Sequence, residues 1–397
     1  MQGWRRNKGI KGNEMVNDGK RNEVALSQVC TLNMGQSPSS DSYNENKDGL
    51  PFFQGNADFG DIFPKERVWC SQPTKIANKD DILLSVRAPI GALNIAKEEC
   101  CIGRGLAALS PIPSQCRMMY LFYALKSKVK ILEQQGTGST FKAVGKDTIS
   151  ALHIPLYPLE EQEHIISKLS CTDKRIANIY KQIAKLDTLV KSRFIEMFGD
   201  LESNPKGWKK VTFDEVSEKI TDGEHATVPR VDKGYVFLNA RNILKRGEID
   251  LTGVTFISEE NHNRIYKRCN PEPGDVLLTT TGTIGNVAIV PKIDAFSMDR
   301  GITLIKQDRS VINGTFFAVA MQMDSLQMHM KNGIHASAIG HLFMNKVKAL
   351  PIVVPPIDLQ NQFADFVEQV DKSKSVLQKL LEKQELLRAA LMQEYFG

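Results

Sequence analysis

His225, Arg230, Asn239, Arg241, Asn242 and Arg246 fall within one polar stretch, 217–246, together with Asp222. Arginine presents a fork of N–H donors and asparagine a paired donor and acceptor. These are the side chains that bond bidentately to guanine and adenine edges in a DNA major groove. A second polar stretch holds Gln36, Ser37, Ser39, Ser40, Tyr43, Asn44, Gln54 and Asn56, with Arg87 further on. The run Thr279-Thr280-Thr281-Gly282-Thr283 follows an apolar strand pattern. The hydroxyls of Thr280, Thr281 and Thr283 and the backbone N–H groups of such a turn suit phosphate oxygens. The loops GTGSTFK (136–142) and GIHASAI (333–339) add Ser139, Thr140, Lys142, His335 and Ser337 as candidate contacts. Each of these residues also has a structural reading, as a turn hydroxyl or a β-branched residue in a hairpin, and both readings stay open here.

Catalytic patterns are missing from the chain. Gly145-Lys146 lacks the upstream glycine and the Ser or Thr of a phosphate-binding P-loop, and neither G-x-G-x-x-G nor H-E-x-x-H occurs. There is no Asn-Pro-Pro-aromatic tetrapeptide of the kind adenine methyltransferases use. His153, His164, His225, His262, His329, His335 and His341 show no i, i+4 pair that would suggest a metal. The threonine run has no base at motif spacing. The sequence therefore predicts binding rather than a catalytic site, no metal, and no cofactor bound by this chain.

The elements that would position these residues occur twice. KDDILLSVRAPIGALNIA (79–96) meets PGDVLLTTTGTIGNVAIV (273–290). Upstream, VALSQV (24–29) meets VTFDEV (211–216), and GLPFFQG (49–55) meets GYVFLNA (234–240). Downstream, Arg104-Gly105 meets Arg300-Gly301, which adds Arg104 and Arg300 to the candidate contacts. IPLYPLEEQEHI (154–165) meets IVVPPIDLQNQF (352–363), and Met197-Phe198-Gly199 meets Tyr395-Phe396-Gly397. From residue 154 onward the offset stays at 198. Loops tolerate changes in length, so a fixed length points to a rigid element. The chain reads as a tandem duplication, each copy a compact α/β domain followed by one long helix. The strands and turns correspond while the polar loops do not, which fits one scaffold with two different binding faces.

Residues 159–198 contain no proline or glycine and lie between Pro158 and Gly199, as a helix requires. Leu169, Ile176, Ile183, Val190 and Met197 recur every seven residues, with Ile165, Thr172, Ile179 and Leu186 as the partner row. A second helix is expected over about 357–396, with Phe363, Val370, Leu377, Gln384 and Leu391 beside Phe366, Leu380 and Leu387. A long helix with one apolar seam needs a partner, and the other copy supplies it in an antiparallel coiled coil. A plain packing role is the alternative.

Of the 397 residues 42% are hydrophobic, enough for two or three domains with sizeable cores. No apolar run of about 18 residues is present, so no membrane span is expected. The seven cysteines include no C-x-x-C pair, which reads as reduced thiols and a cytoplasmic protein. The net charge of +5 permits nucleic-acid binding without requiring it. Residues 1–22 carry six basic against two acidic residues and read as a flexible basic arm. Met15 is an alternative start, which would make 1–14 an extension.

GDVLLTTTGTIGNVAI (274–289), its echo DILLSVRAPIG (81–91) and the junction IPLYPLEEQEHI (154–165) together resemble the specificity (S) subunits of type I restriction-modification systems, the HsdS family. The resemblance covers about residues 23–397. It implies an α/β (α+β) chain with a pseudo-twofold internal repeat. Target recognition domains would span 23–153 and 211–353, and long spacer helices 154–199 and 354–397, with a linker at 200–210. It further implies a non-catalytic subunit that reads a bipartite, asymmetric double-stranded DNA target. Such a subunit recruits methylation subunits, which use S-adenosylmethionine, and restriction subunits, which use ATP and Mg²⁺. An interaction scaffold that does not touch DNA, and a solitary nuclease or methyltransferase, are the competing classes. Tyr157 stands where the family has a proline, Asp80 where it has a glycine, and Ala88-Pro89 where it has Gly-Thr. The first turn is therefore expected to differ in shape from the second.

Overall fold

Ile82–Ser85 and Val276–Thr279 are buried along their whole length, as continuous apolar runs covered on both faces should be. Each is an inner strand of a four-stranded antiparallel sheet. The computed structural model describes residues 22–138, 142–245, 247–333 and 340–397. All of the expected basic arm except Asn22 lies outside them. The chain forms two compact units. Unit 1 runs to Asn178 and includes Leu381–Gly397; unit 2 is Ile179–Leu380. Both divisions fall inside the long helices rather than at the expected domain ends, because each helix packs part of its length against a different globular body.

Unit 1 contains β1 (Glu23–Ala25), β2 (Cys30–Met34), β3 (Leu50–Phe53), β4 (Ile82–Ser85), β5 (Leu93–Ile95), β6 (Cys100–Ile102), β7 (Leu106–Pro111) and β8 (His153–Pro155). Its helices include α1 (Met118–Ser127) and the first half of α2 (Leu159–Phe198). The main sheet has the order β2-β7-β4-β5, β1 pairs with β8, and β3 runs parallel to β6. Unit 2 contains β9 (Lys209–Thr212), β10 (Ser217–Asp222), β11 (Tyr235–Leu238), β12 (Val276–Thr279), β13 (Val287–Ile289), β14 (Ser297–Met298), β15 (Ile302–Gln307) and β16 (Pro351–Val354). It adds α3 (Gly314–Met321) and most of α4 (Ile357–Phe396). Here too the sheet order is β10-β15-β12-β13, β9 pairs with β16, and β11 runs parallel to β14. The two units thus share one topology, mostly antiparallel with a single parallel pair among these strands, on the α+β side of the expected class.

The turn after β4 closes with the same backbone bond as the turn after β12: Gly91 N–H to Ser85 O and Gly285 N–H to Thr279 O, both 2.9 Å. Asp80 takes φ +69°, the left-handed conformation that Gly274 takes at +92°. The expected difference in shape is therefore confined to the residues between the closing bonds, where the Ala88–Pro89 peptide is cis. Within 200–210, Leu201 is buried, Trp208 Nε1 donates to Phe198 O at 3.0 Å, and β9 begins at Lys209.

Each long helix is fixed at both ends. Near its start, Gln162 is fully buried: Nε2 donates to Gln115 O and Tyr157 O, and Oε1 accepts from Arg117 N. Gln360 does the same with Val311 O, Pro355 O and Asn313 N. At its end, α2 buries Phe198 against Phe316 of α3, ring centroids 4.7 Å apart, within unit 2. The end of α4 buries Phe396 against Tyr120 of α1 at 5.2 Å, within unit 1. The helices run antiparallel in each unit, with Asp173 paired to Arg388 in unit 1 and Asp187 to Lys374 in unit 2.

One heptad row is corrected. Leu380 and Leu387 are exposed, and the partner row of α4 sits one residue later, at Gln360, Val367, Lys374, Leu381, Arg388 and Tyr395. Two cations occupy that row with their aliphatic stems covered and their heads in ion pairs, which hid it from an apolar pattern. All seven cysteines are free, and only Cys171 is exposed. Burial pushes the thiols of Cys30, Cys100, Cys116 and Cys269 up to about 12. No helix among the described residues is long and apolar enough to cross a membrane.

Phe396→Ala removes a fully buried ring from unit 1 and is expected to cost about 3–5 kcal/mol. Hydrogen exchange should show lost protection in β7 and α1 with Val276–Thr279 of unit 2 unchanged. Equal loss in both units would contradict the packing described.

Candidate nucleic-acid interface

Gln54, Asn56, Arg87 and Arg104, four of the residues singled out by sequence in the first copy, line one surface cleft of about 320 Å³. Gly55, Ser85, Ala88 and Gly105 complete its walls. Three elements build it: the end of β3, the turn after β4, and the Arg104-Gly105 loop between β6 and β7. Gly35 lets these backbones meet. A Cβ there would lie 2.2 Å from Gly103 O. Arg87 is exposed, and its guanidinium makes no hydrogen bond or ion pair among the described residues. Arg104 is exposed, with Nε 3.3 Å from Ser37 Oγ.

The backbone of unit 2 repeats this frame. The end of β11 carries Asn239 and Arg241, the turn after β12 carries Thr281, and the loop between β14 and β15 carries Arg300. Gly223 takes the place of Gly35, its Cβ position 2.2 Å from Asp299 O. Arg87 bridges to Ala143 in unit 1, and Thr281 bridges to His341 in unit 2. Thr281 Oγ1 lies 2.7 Å from His341 Nδ1, and the His341 ring meets Phe343 edge to face at 4.8 Å. His341 is not among the candidates read from sequence; its bridge to Thr281 gives it the place in unit 2 that Ala143 holds in unit 1. Burial pushes the Asp299 carboxyl up, against the Gly301 N–H and the charges of Arg230 and Arg300.

Other candidates lie elsewhere or are committed internally. Ser39 and Ser40 are exposed at a short turn outside the cleft. Tyr43 stacks on Phe52 at 4.7 Å and donates to Pro38 O. Lys142 is exposed, and its carbonyl accepts from Ala88 N beside the Arg87 turn. His225 is exposed, 3.6 Å from Asp222. The Arg230 guanidinium lies 4.2 Å from the Phe237 ring centroid and donates to Val228 O. Thr283 is exposed. Two candidates are corrected. Asn242 is buried, its Oδ1 accepting from Asn239 N and its Nδ2 donating to Asp250 O, so it caps its own turn. Thr280 is buried with its hydroxyl 3.4 Å from that of Thr303. Their polar atoms hold the fold and are not presented to a ligand. Arg246, Ser139, Thr140, His335 and Ser337 lie outside the described residues.

The pattern that defines the type I restriction modification DNA specificity domain matches twice, over residues 20–188 and 205–388. The chain belongs to this family. Part of it is similar to part of a protein given the provisional name type I restriction enzyme MjaX specificity subunit, from Methanocaldococcus jannaschii. The two are 40% identical over 163 residues, 41% of this chain and 38% of that one, so the match spans well under half of that relative. The EcoBI specificity subunit of Escherichia coli is 21% identical over 384 residues, 87% of this chain and 78% of its own. The crystal structure of the type I restriction-modification S subunit from M. genitalium has the same fold, with a TM-score of 0.61 at 18% identity over 97% of this chain and 98% of that one.

Within the second specificity domain, Asn242→Ala should lower the stability of unit 2 by about 1–3 kcal/mol, since it strands a buried N–H and a carbonyl. The neighbouring Arg241→Ala, on an exposed side chain, should leave the denaturant midpoint where it was. Equal effects of the two in urea unfolding would contradict the assignment.

Proposed function

We propose that the chain is the DNA-binding specificity subunit of a type I restriction-modification complex, without an active site of its own. It reads a bipartite, asymmetric target, one half with each specificity domain. The observation that carries this reading is one backbone frame built twice with different exposed or half-exposed side chains on it. Gln54 corresponds to Asn239, Asn56 to Arg241, and Arg87 to Thr281. Two unlike faces on one scaffold suit two unlike short sequences. Arg and Asn or Gln at such positions supply about 1–3 kcal/mol of discrimination per base pair.

The paired helices act as the spacer between the half-sites in this reading, as an antiparallel coiled coil. It is supported by the antiparallel ion pairs found in each unit, and by the equal forty-residue lengths of α2 and α4. Methylation and restriction subunits are the partners, and they carry the S-adenosylmethionine, ATP and Mg²⁺ that the chemistry requires. Leu380, Leu386, Leu387 and Val376 are exposed on α4, as are Leu189 and Ile195 on α2. Such faces suit protein partners, and they also favour the rival reading of a scaffold that never touches DNA. The free cysteines fit a reducing cytoplasmic setting.

Three tests bear on these readings. Binding to duplex DNA should weaken steeply with salt through counterion release, and salt-insensitive or absent binding would favour the scaffold. Exchanging residues 23–153 for another specificity domain should change one half-site only, read by mapping methylated adenines. Lengthening both helices by seven residues, about 10 Å, should widen the spacer by about three base pairs with the half-sites intact. An unchanged spacer would remove the ruler role.

A further inference from the structure

Arg104 and Arg300 stand apart from the other residues of the two clefts. We propose that they are matched phosphate anchors, one in each unit, and that base selection falls to the flanking positions where the copies differ. The inference rests on the DNA-binding reading above and assigns the work within it.

The argument uses the chain's own repeat as an internal comparison. The two Arg-Gly loops share three backbone bonds, while the arginine's own N–H goes to Ser37 Oγ in one and to Glu224 O in the other. Gly103 N donates to Phe53 O at 2.8 Å and Asp299 N to Leu238 O at 2.9 Å. Leu106 N donates to Gly103 O and Ile302 N to Asp299 O, at 3.0 and 3.1 Å. Val86 N donates to Gly105 O and Thr280 N to Gly301 O, both at 2.9 Å. In each unit the arginine therefore leaves the loop from an equivalent backbone position.

Around it the residues of the frame diverge. Gln54 faces Asn239 in the comparison, Asn56 faces Arg241, Arg87 faces Thr281, and Ala143 faces His341. Two half-sites of an asymmetric target differ in their bases and share only the sugar-phosphate backbone. A side chain kept in both copies, amid neighbours that changed, matches the part of the ligand that does not change.

A structural role does not account for the pair. Both arginines are exposed. Arg104 gives only Nε to the Ser37 hydroxyl, so its terminal nitrogens bond nothing among the described residues. The side chain of Arg300 makes no hydrogen bond or ion pair among them, although the Asp299 carboxyl interacts with its charge.

The test uses the full chain and a pool of randomised duplex DNA. Sequences bound by the wild type are selected first. Affinity is then measured across a salt series for the selected duplex and its single-base variants. Arg104→Ala and Arg300→Ala should each weaken every duplex by one common factor and reduce the salt slope by about 1. Arg104→Lys should recover most of the affinity, since a phosphate accepts a point charge where a guanine requires the guanidinium fork. A changed preference at any base, an unchanged affinity and slope, or failure of the lysine variant to recover would overturn the assignment with the DNA reading intact. Wild-type selection of no sequence at all would remove both together.

Discussion

Phe198 and Phe396 close the cores of unit 2 and unit 1, and each is the last residue of a forty-residue helix. Unit 1 does not complete its core from one contiguous stretch, since Leu381–Gly397 returns to it, and unit 2 begins inside α2 and includes its end. A buried aromatic removes some 150–250 Å² from water, so the helix end is part of the head and not an appendage. At the other end of each helix, Gln162 or Gln360 ties the first turn to its own head by three hydrogen bonds. The offset of 198 is constant from residue 154 to the C-terminus, while earlier loops drift, so both helices keep one length.

Charged residues in the buried row of α4 serve orientation more than stability. Lys374 and Arg388 sit where leucine would pack better, and their partners Asp187 and Asp173 lie on α2. Ion pairs of this exposure contribute little net free energy. A slipped register would bury the cations without the carboxylates, which costs far more. Tyr123 reinforces one pair through its hydroxyl, which donates to Asp173 at 3.0 Å.

The repeat and the ends of the long helices were legible in the sequence because they are written in residue types with strong local meaning: Pro158, Gly199, and the paired runs at 79–96 and 273–290. The roles of the polar loop residues were not. Asn239 and Asn242 differ little in sequence context, yet one is half-exposed and the other caps a turn from inside. Thr280 and Thr283 belong to one pentapeptide, yet the first is packed under the Arg300-Gly301 loop. Burial of that kind is decided by a strand arriving from a distance, and single-sequence pattern carries no trace of it. The row through Lys374 and Arg388 was hidden for a related reason, since only the partner helix shows that their charges are satisfied.

The frame of each cleft draws its stability from groups that face away from any ligand. Asp81 and Asp275 are buried, and each accepts a backbone N–H, from Asn78 and Glu272, across the turn into the central strand. The hydroxyls of Ser85 and Thr279 bond carbonyls inside the next turn. Gly35 and Gly223 permit the close crossing beneath the arginine loop. None of Asp81, Asp275, Ser85, Thr279, Gly35 and Gly223 is exposed, whereas the side chains at 54, 87 and 241 are exposed and carry little of the fold's free energy. Substitution at those positions therefore alters what the cleft contacts at small cost in stability, within about 0.5 kcal/mol for ordinary surface sites. Asn242 and Thr280 mark the limit of that freedom: they sit in the same loops but hold the backbone, and a change there alters the frame before it alters any contact.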